Sequence, residues 1–182
     1  MEQLQALIEE AIAGSREAYA AIYDILFAEI YRYMYWNVSK REDAEDLTAE
    51  VFLRGFKAIA GLKKDVVHSK AWFYRIARNL VIDHRRRYGR RRESTLEEAW
   101  DLDCGTDLER LQEKQYESGL IREALRELTE EQRQVLILKY FSGFTNEEVG
   151  GVLGKQAGAI NALQYRGLKR MEKILRKRGW QG

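Results

Sequence analysis

The sequence predicts an all-α protein in which an acidic linker joins two small helical domains. Three observations favour this fold class. The 182 residues contain no proline and are 45% hydrophobic, and the apolar side chains recur at spacings of three and four with no convincing strand pattern. The stretch from about Arg90 to Thr106 has no sustained periodicity. We therefore expect helical domains at residues 1–92 and 113–182, with the linker at 93–112.

Apolar periodicity and capping signals set the expected helix boundaries. Thr129 and Thr145 are each followed three residues later by Gln or Glu, which is the spacing of a capping box, where two side chains satisfy free backbone N–H groups. We predict helices over residues 3–13, 15–37, 41–60, 70–88, 108–127, 130–141, 145–153 and 157–177.

Composition excludes several classes of protein. The single cysteine, Cys104, cannot form an internal disulfide or a cysteine metal site. No apolar run approaches the length of a membrane span, and the N-terminal MEQLQALIEE is acidic, unlike a signal peptide. We expect a cytoplasmic protein without membrane insertion.

The charge distribution says more than the net charge of +2. Residues 61–92 contain eleven Lys or Arg side chains and two acids, whereas residues 93–117 contain nine acids and two basic side chains. Such alternation indicates separate binding surfaces rather than one uniformly basic coat.

The helix predicted at 41–60 carries an acidic face. Its inward stripe is predicted to contain Ala44, Leu47, Val51 and Ile59. Three acids lie together on another side at three- and four-residue steps: Asp43, Asp46 and Glu50. A solvated face would explain them, but the sharper interpretation is a protein interface, in which Phe52 or Leu47 supplies apolar contact and the acids attract a basic partner.

A metal site on this helix would need ligands from a second element. His68 and His84 show no ligand-like spacing with the acids. We therefore expect no metal site on this helix. A cofactor and catalytic residues are likewise not expected.

The helix predicted at 70–88 separates a buried face from a basic one. The buried face is predicted to contain Phe73, Ile76, Leu80 and, more weakly, Ala77 and His84. The opposite side carries Arg75, Arg78, Asn79, Ile82 and Arg86. Trp72 and Tyr74 at the helix start could stack on exposed bases. A solvated basic face is the alternative to a DNA-binding surface.

Basic residues also flank this helix. The preceding loop, residues 61–70, is polar and lysine-bearing, and could hold an unstacked base or could be a plain surface loop. Six arginines fall within eight positions at the other end: Arg85, Arg86, Arg87, Arg90, Arg91 and Arg92. Their repulsion favours contact with phosphates, although a solvated helix end would also explain them.

The segment from Leu128 to Leu175 is typical of a helix-turn-helix. Gly154 ends the first helix of the pair. The predicted core contains Val149, Leu153, Ile160, Leu163 and Leu168. The second helix would present Gln156, Ala157, Asn161, Gln164 and Tyr165 to a major groove, with Arg166, Lys169 and Arg170 placed for phosphates or the outer face. A generic helical hairpin is the alternative.

Two long blocks together resemble one protein family. They are DAEDLTAEVFLRGFKAI with AWFYRIARNLVIDHRRR, and LRELTEEQRQVLILKYFSGFTNEEVGGVLGKQAGAINALQYRGLKRM. In their order and extent they resemble the extracytoplasmic-function sigma factors, minimal bacterial transcription initiation factors with only the second and fourth conserved sigma regions. The resemblance implies a non-enzymatic protein that binds core RNA polymerase, directs it to promoter DNA and promotes strand opening, and that has an anti-sigma factor as a further partner.

The resemblance also implies roles for individual residues. Contacts to core polymerase would come from Asp43, Asp46, Leu47, Glu50 and Phe52. Contacts to the minus-ten element would come from Lys63, Lys64, His68, Ser69, Trp72, Arg75, Arg78, Asn79, Arg85 and Arg86. Contacts to the minus-thirty-five element would come from Gln156, Ala157, Gly158, Asn161, Gln164, Tyr165, Arg166 and Lys169. The linker would thread through the polymerase toward its RNA exit path.

Some residues depart from the family pattern. Gly150 stands where alanine is usual and Gly151 follows it, so we expect the first helix of the pair to lose about 1 kcal/mol per glycine relative to alanine. Gln156 replaces a common serine cap, and Asn161 stands where lysine is frequent. These differences concern minus-thirty-five recognition and leave the expected fold unchanged.

Two other functions compete with this interpretation. A helix-turn-helix regulator that acts on duplex DNA without polymerase would account for residues 128–175 only. A metal-dependent nucleic-acid enzyme would use Glu45, Asp46 and Glu50 and would require Mg²⁺ for turnover.

Overall fold

The computed structural model describes residues 2–62, 70–88 and 118–180, and every regular element in these ranges is helical. The helices are α1 (Glu2–Ile12), α2 (Arg16–Asn37), α3 (Arg41–Ile59), α4 (Ala71–Tyr88), α5 (residues 118–126), α6 (Glu130–Leu136, continued by a π-helical turn at Ile137–Phe141), α7 (Asn146–Leu153) and α8 (Ala157–Lys177). The all-α fold class is confirmed.

The chain divides into two compact units. The first contains α1 to α4, and the second contains α5, α6, α8 and the start of α7. The predicted linker at 93–112 lies outside the described residues, as does the first part of the helix predicted at 108–127. The domain boundaries at residues 92 and 113 therefore stay a prediction.

The first unit is built around α2, which packs against α1, α3 and α4. Ser15 begins α2 by accepting a hydrogen bond from the backbone N–H of Ala18 at 3.1 Å. The buried stripe of α2 follows the helical period through Ile22, Leu26, Ile30 and Tyr33. A helix with three packed neighbours must bury a wide arc, and α2 contributes more buried apolar side chains than any other described helix of this unit.

The close packing of α3 against its neighbours depends on a glycine. A Cβ atom at Gly55 would lie 2.6 Å from the hydroxyl oxygen of Tyr19 and 3.1 Å from the ring of Phe73. The hydroxyl of Tyr19 also donates to the backbone carbonyl of Phe52 at 2.5 Å. Gly55 therefore lets α2, α3 and α4 meet at one point.

The buried face of α4 is broader than the sequence predicted. Phe73, Ala77 and Leu80 are buried as expected, and Val81 is buried with them. The expected role of Tyr74 in base stacking is wrong, because Tyr74 is fully buried with its ring edge-on to Tyr33 at 5.3 Å. The reason is that α4 packs against both α2 and α3, so its inward arc covers neighbouring positions.

Both predicted capping boxes are present in the second unit. At α6, the backbone N–H of Gln132 donates to Oγ1 of Thr129, and the backbone N–H of Thr129 donates to Oε1 of Gln132, both at 3.4 Å. At α7, the backbone N–H of Glu148 donates to Thr145 at 3.2 Å, and that of Thr145 donates to Glu148 at 2.7 Å. Local sequence therefore determines both helix starts.

The turn between α7 and α8 has the geometry that a helix-turn-helix needs. Gly154 has a φ of +67°, and the backbone N–H of Lys155 donates to the carbonyl oxygen of Gly150 at 3.0 Å. This bond is the 6→1 hydrogen bond of a Schellman motif, which ends a helix at a residue in the left-handed conformation. Lys155 then pairs with Glu131 of α6 at 2.8 Å.

The core of the second unit differs from the sequence prediction at α8. Leu168 was expected in the core but is 41% exposed. Gly167 is buried in its place, and a Cβ atom there would lie 3.4 Å from the side chain of Leu136. Because Gly167 allows α8 to lie close against α6, the buried face of α8 passes through Gly167 and turns Leu168 outward.

Candidate protein and nucleic-acid interfaces

Three acids on the outer side of α3 form what we call the acidic ridge: Asp43, Asp46 and Glu50. Glu50 accepts a hydrogen bond from Nε of Arg54 at 2.7 Å, and Asp43 lies 3.3 Å from Nε2 of His84. Asp46 is exposed, and among the described residues it makes no hydrogen bond or ion pair. Asp46 is therefore the acid of the ridge that is most available to another molecule.

The expected apolar contacts of α3 need a correction. Phe52 was expected on the polymerase-binding surface, but only 4% of it is exposed. Its ring packs against Tyr23 at 4.7 Å and Phe73 at 6.0 Å. Because α2 and α4 both pack on α3, the inward arc of α3 includes Phe52, which therefore supports the surface from below. Leu47 is half-buried and remains a candidate contact.

An apolar patch next to the ridge was missed by the sequence analysis. We use this name for four exposed side chains of α2 and α3: Tyr23, Phe27, Leu53 and Phe56. Leu53 and Phe56 are 48% and 45% exposed, and the rings of Tyr23 and Phe27 lie 5.2 Å apart. Aromatic residues recur every fourth position of α2, at 19, 23, 27 and 31, and this spacing could have indicated the patch. An apolar surface beside acids is typical of a protein interface.

His84 lies against the acidic ridge, although its spacing from these acids along the chain does not indicate a contact. Burial lowers the pKa of His84, Asp43 opposes this change, and Arg85 and Arg87 add to it. The imidazole is therefore mainly neutral at neutral pH.

Glu45 and Glu50, two of the acids considered for a metal-dependent enzyme, are hydrogen-bonded to Arg41 and Arg54. Among the described residues, no three His, Cys, Asp or Glu side chains gather as a metal site.

The basic side of α4 is formed as predicted, with one exception. Arg75, Asn79 and Arg86 are exposed, and Arg78 is half-buried. The exception is Arg85, whose guanidinium donates to the backbone carbonyl of Asn37 at 2.8 Å. This contact satisfies a carbonyl group at the C-terminus of α2, so Arg85 has a structural role inside the first unit.

The end of α4 that is predicted to capture a base is described only in part. Trp72 is half-buried, with its ring edge-on to Phe73 at 4.9 Å. Lys70 pairs with Glu29 at 2.8 Å and fixes the start of α4 to α2. The loop residues predicted to contact DNA lie outside the described residues: Lys63, Lys64, His68 and Ser69.

The predicted readers on α8 share its outer side. Gln156, Gly158, Asn161, Arg166 and Lys169 are exposed, and Ala157 and Gln164 are half-buried. Tyr165 is 61% exposed, and Nζ of Lys169 lies 5.1 Å from the centre of its ring. Gln156 begins α8 without a side-chain cap bond. Its amide therefore does not cap the first turn of α8, as a serine hydroxyl at this position would.

Two of these readers are held by residues that the sequence analysis did not single out. Asn146, the first residue of α7, donates from Nδ2 to Oδ1 of Asn161 and, at 3.4 Å, to Oε1 of Gln164. Nε2 of Gln164 donates to the hydroxyl of Tyr140 at 2.8 Å. We call these four side chains the amide network. Tyr140 belongs to the π-helical turn after α6, an irregularity that is frequent at functional sites.

Comparison with known proteins identifies the family. Residues 19–91 match the family model of Sigma-70 region 2, and residues 118–171 match that of Sigma-70 region 4. The sigma factor BldN of Streptomyces coelicolor is 33% identical over 177 residues, which cover 95% of this chain and 66% of BldN. SigD of Mycobacterium tuberculosis is 30% identical over 178 residues, which cover 94% of this chain and 83% of SigD. Both are extracytoplasmic-function (ECF) RNA polymerase sigma factors.

The chain belongs to the ECF sigma factors. Its first unit contains region 2 and its second contains region 4. Solved structures support the fold. CnrH, in complex with the cytosolic domain of CnrY, matches with a TM-score of 0.76 and 18% identity over 96% of this chain and 98% of that chain. RpoE of Bartonella quintana, in complex with the anti-sigma factor NepR, matches with a TM-score of 0.64 and 22% identity over 85% and 94%.

In this sigma factor the acidic ridge and the apolar patch belong to region 2, together with the basic side of α4. The exposed face of α8 with the predicted readers, which we call the recognition face for its predicted role, belongs to region 4 together with the amide network. Among the described helices, none is both long and apolar enough to cross a membrane.

Proposed function

We propose that this sigma factor binds core RNA polymerase through α3, contacts the minus-ten element with α4 and reads the minus-thirty-five element with α8. It would act in the cytoplasm as a transcription initiation factor and perform no chemistry. The observation that carries the proposal is the presence, in one chain, of an exposed apolar patch beside acids on region 2 and of exposed polar side chains along α8 in region 4.

The acidic ridge and the apolar patch support the polymerase contact. Asp46 is exposed without a bond partner among the described residues, and Leu53 and Phe56 lie exposed two to three turns further along the same helix. Apolar side chains supply most of the affinity of such an interface, whereas acids contribute to the choice and orientation of a basic partner. The acidic ridge would therefore contribute to specificity for the partner, and the apolar patch would supply most of the affinity.

The basic side of α4 supports a contact with promoter DNA during strand opening. Arg75 and Arg86 can neutralise phosphates, and Asn79 offers both a donor and an acceptor. Trp72 stands at the start of the helix, where its ring can stack on a base that has left the duplex. Arg85 is left out of this interface because it is bonded to Asn37.

A polymerase-independent helix-turn-helix regulator explains less of the molecule. Such a regulator needs only the second unit, with Tyr165 and the amides of α8 in a major groove. It gives no role to the exposed Asp46, to the apolar patch or to the basic side of α4. The sigma factor function accounts for all three surfaces.

The apolar patch also supports an anti-sigma factor as a partner. The structures of CnrH and RpoE each contain a bound partner protein. Exposed aromatic side chains such as Tyr23, Phe27 and Phe56 would be available to an inhibitor whenever the sigma factor is not bound to polymerase. An inhibitor that covers them would compete directly with core polymerase.

Run-off transcription with purified core polymerase and a genomic fragment library tests the proposal. We expect discrete transcripts that require both the sigma factor and core polymerase, and that disappear with Asp46→Arg. Glu10→Arg, which makes the same charge change on the exposed surface of α1, is the matched control and should transcribe normally. Specific binding of the purified chain to duplex DNA, with no core-dependent transcript, would support the polymerase-independent regulator instead.

A further inference from the structure

The amide network determines which atoms of Asn161 and Gln164 remain for another molecule. An amide side chain offers two N–H donors and one carbonyl oxygen. The carbonyl oxygens of Asn161 and Gln164 both accept from Nδ2 of Asn146. The Nδ2 group of Asn161 therefore keeps both donors, and Nε2 of Gln164 keeps the one that Tyr140 does not use.

The observed orientation makes Asn146 the donor of the network. Its own Oδ1 is buried and has no hydrogen-bond partner within the described chain, which costs stability. Rotating the amide of Asn146 alone by half a turn would place that oxygen against the two carbonyl oxygens of Asn161 and Gln164. The orientation of Asn146 is therefore coupled to that of both other amides, and its Nδ2 is the group toward which their carbonyl oxygens turn.

We propose that the amide network makes the recognition face of α8 a hydrogen-bond donor surface that selects guanine or thymine at the positions reached by Asn161 and Gln164. In the major groove, guanine offers the acceptors N7 and O6, and thymine offers O4. Bidentate pairing with adenine needs a carbonyl oxygen that accepts from the N6 amino group, and cytosine presents the donor N4. A face that offers only donors cannot pair with either of these amino groups. This inference rests on the proposed function, which places α8 in a major groove.

Asn146 and Tyr140 are positioning residues in this account. Neither needs to touch DNA, because each acts by fixing the orientation of a reader. The π-helical turn brings Tyr140 to its place, since the backbone N–H of Ser142 donates to the carbonyl of Ile137, five residues back, at 3.1 Å. Base preference would therefore depend on residues outside the recognition helix.

The variant Asn146→Asp tests the inference most sharply. A carboxylate has a similar shape but only accepts hydrogen bonds, so Asn161 and Gln164 should turn their N–H groups toward it and their carbonyl oxygens outward. An acid is also well placed at the first residue of a helix. Holoenzyme made from the full chain and core polymerase would be selected on a promoter library with randomised minus-thirty-five bases. We expect guanine or thymine with the wild type, and a shift of roughly three- to tenfold toward adenine or cytosine with the variant.

Two further variants accompany Asn146→Asp, the first as a control and the second as an independent test. Glu147→Gln changes the charge of the neighbouring exposed residue and should leave the preferred bases unchanged. Tyr140→Phe removes one hydroxyl and should relax the preference at the Gln164 position while leaving that at the Asn161 position. Circular dichroism checks that each variant is folded.

The possible outcomes separate the inference from the function on which it rests. Adenine or cytosine preference in the wild type, or an unchanged preference in a folded Asn146→Asp variant, would overturn the donor-surface inference while leaving promoter-specific transcription intact. An absence of any core-dependent, promoter-specific transcript would instead overturn the proposed function.

Discussion

The two candidate surfaces differ in how far their polar groups are bonded within the chain. On α3, Asp46 has no bond partner among the described residues and the apolar patch is exposed. On α8, Asn161 and Gln164 are already bonded by Asn146 and Tyr140. A docking surface can leave its charge for the partner to satisfy, whereas base reading gains from side chains that are held in one orientation. The polar groups that are held in one orientation are therefore those of the surface that we propose to read bases.

Phenylalanines 52 and 56 offer the largest contrast within α3. Phe52→Ala should lower the free energy of unfolding of the first unit by about 3–5 kcal/mol, because the ring is buried among other aromatic side chains. Phe56→Ala should cost less than about 1 kcal/mol and instead weaken binding to core polymerase. Urea unfolding and a core-binding titration measure the two effects. A large loss of stability in both variants would contradict the assignment of Phe56 to the docking surface.

Asp46 provides the next test, since it is the ridge residue without a bond partner in the described chain. Asp46→Arg should weaken binding to core polymerase by about 100-fold, because it places a cation where a basic partner surface is expected. Its thermal unfolding should resemble that of the wild type, because the side chain is exposed. Fluorescence anisotropy with labelled sigma factor measures the affinity, and equal binding by Asp46→Arg and Glu10→Arg would argue against the ridge.

The adjacent glycines of α7 give opposite expectations. Gly151→Ala should stabilise α7 by about 0.5–1 kcal/mol, because a Cβ atom there meets nothing within 4 Å. At Gly150 a Cβ atom would lie 2.5 Å from the carbonyl oxygen of Lys155, so Gly150→Ala should destabilise the turn before α8. The expected gain from alanine therefore applies to Gly151 alone. Thermal unfolding compares the variants, and a stabilised Gly150→Ala variant would contradict the geometry of this turn.

The smallest expected effect concerns pH. The pKa of His84 is lower in the folded chain than its ordinary value, because burial outweighs the attraction of Asp43 and is helped by Arg85 and Arg87. The unfolded chain therefore binds the proton more readily, and the contribution of His84 to stability is present above about pH 6.5 and lost as the pH falls through the lowered pKa. Urea unfolding at about pH 7.5 and 5.5 should show a steeper loss for the wild type than for His84→Gln. Equal slopes would show that His84 does not titrate as described.

Local features of the fold could be predicted from the sequence. The helix periodicities, the capping boxes at Thr129 and Thr145, and the glycine that closes α7 all depend on residues within one or two turns of each other. The family resemblance was likewise carried by long continuous blocks and is confirmed.

Other features depend on contacts between distant helices and could not be predicted in this way. Phe52 is buried because two helices pack on α3, and Leu168 turns outward because Gly167 approaches Leu136. The amide network joins Tyr140 and Asn146 to side chains 15 to 24 residues away. Sequence periodicity gave the faces of each helix, but only the packing shows how wide each buried arc is and which polar groups meet.

Core-dependent transcription from the randomised promoter library tests the central claim most directly, because it reports polymerase docking as transcript yield and base reading as promoter preference. We predict that Asp46→Arg lowers the yield while its residual transcripts keep the wild-type preference. Asn146→Asp should keep the yield within a few-fold and change the preference. A changed preference with Asp46→Arg, or a lost yield with a folded Asn146→Asp variant and no change of preference, would contradict the assignment of docking to α3 and of base reading to α8.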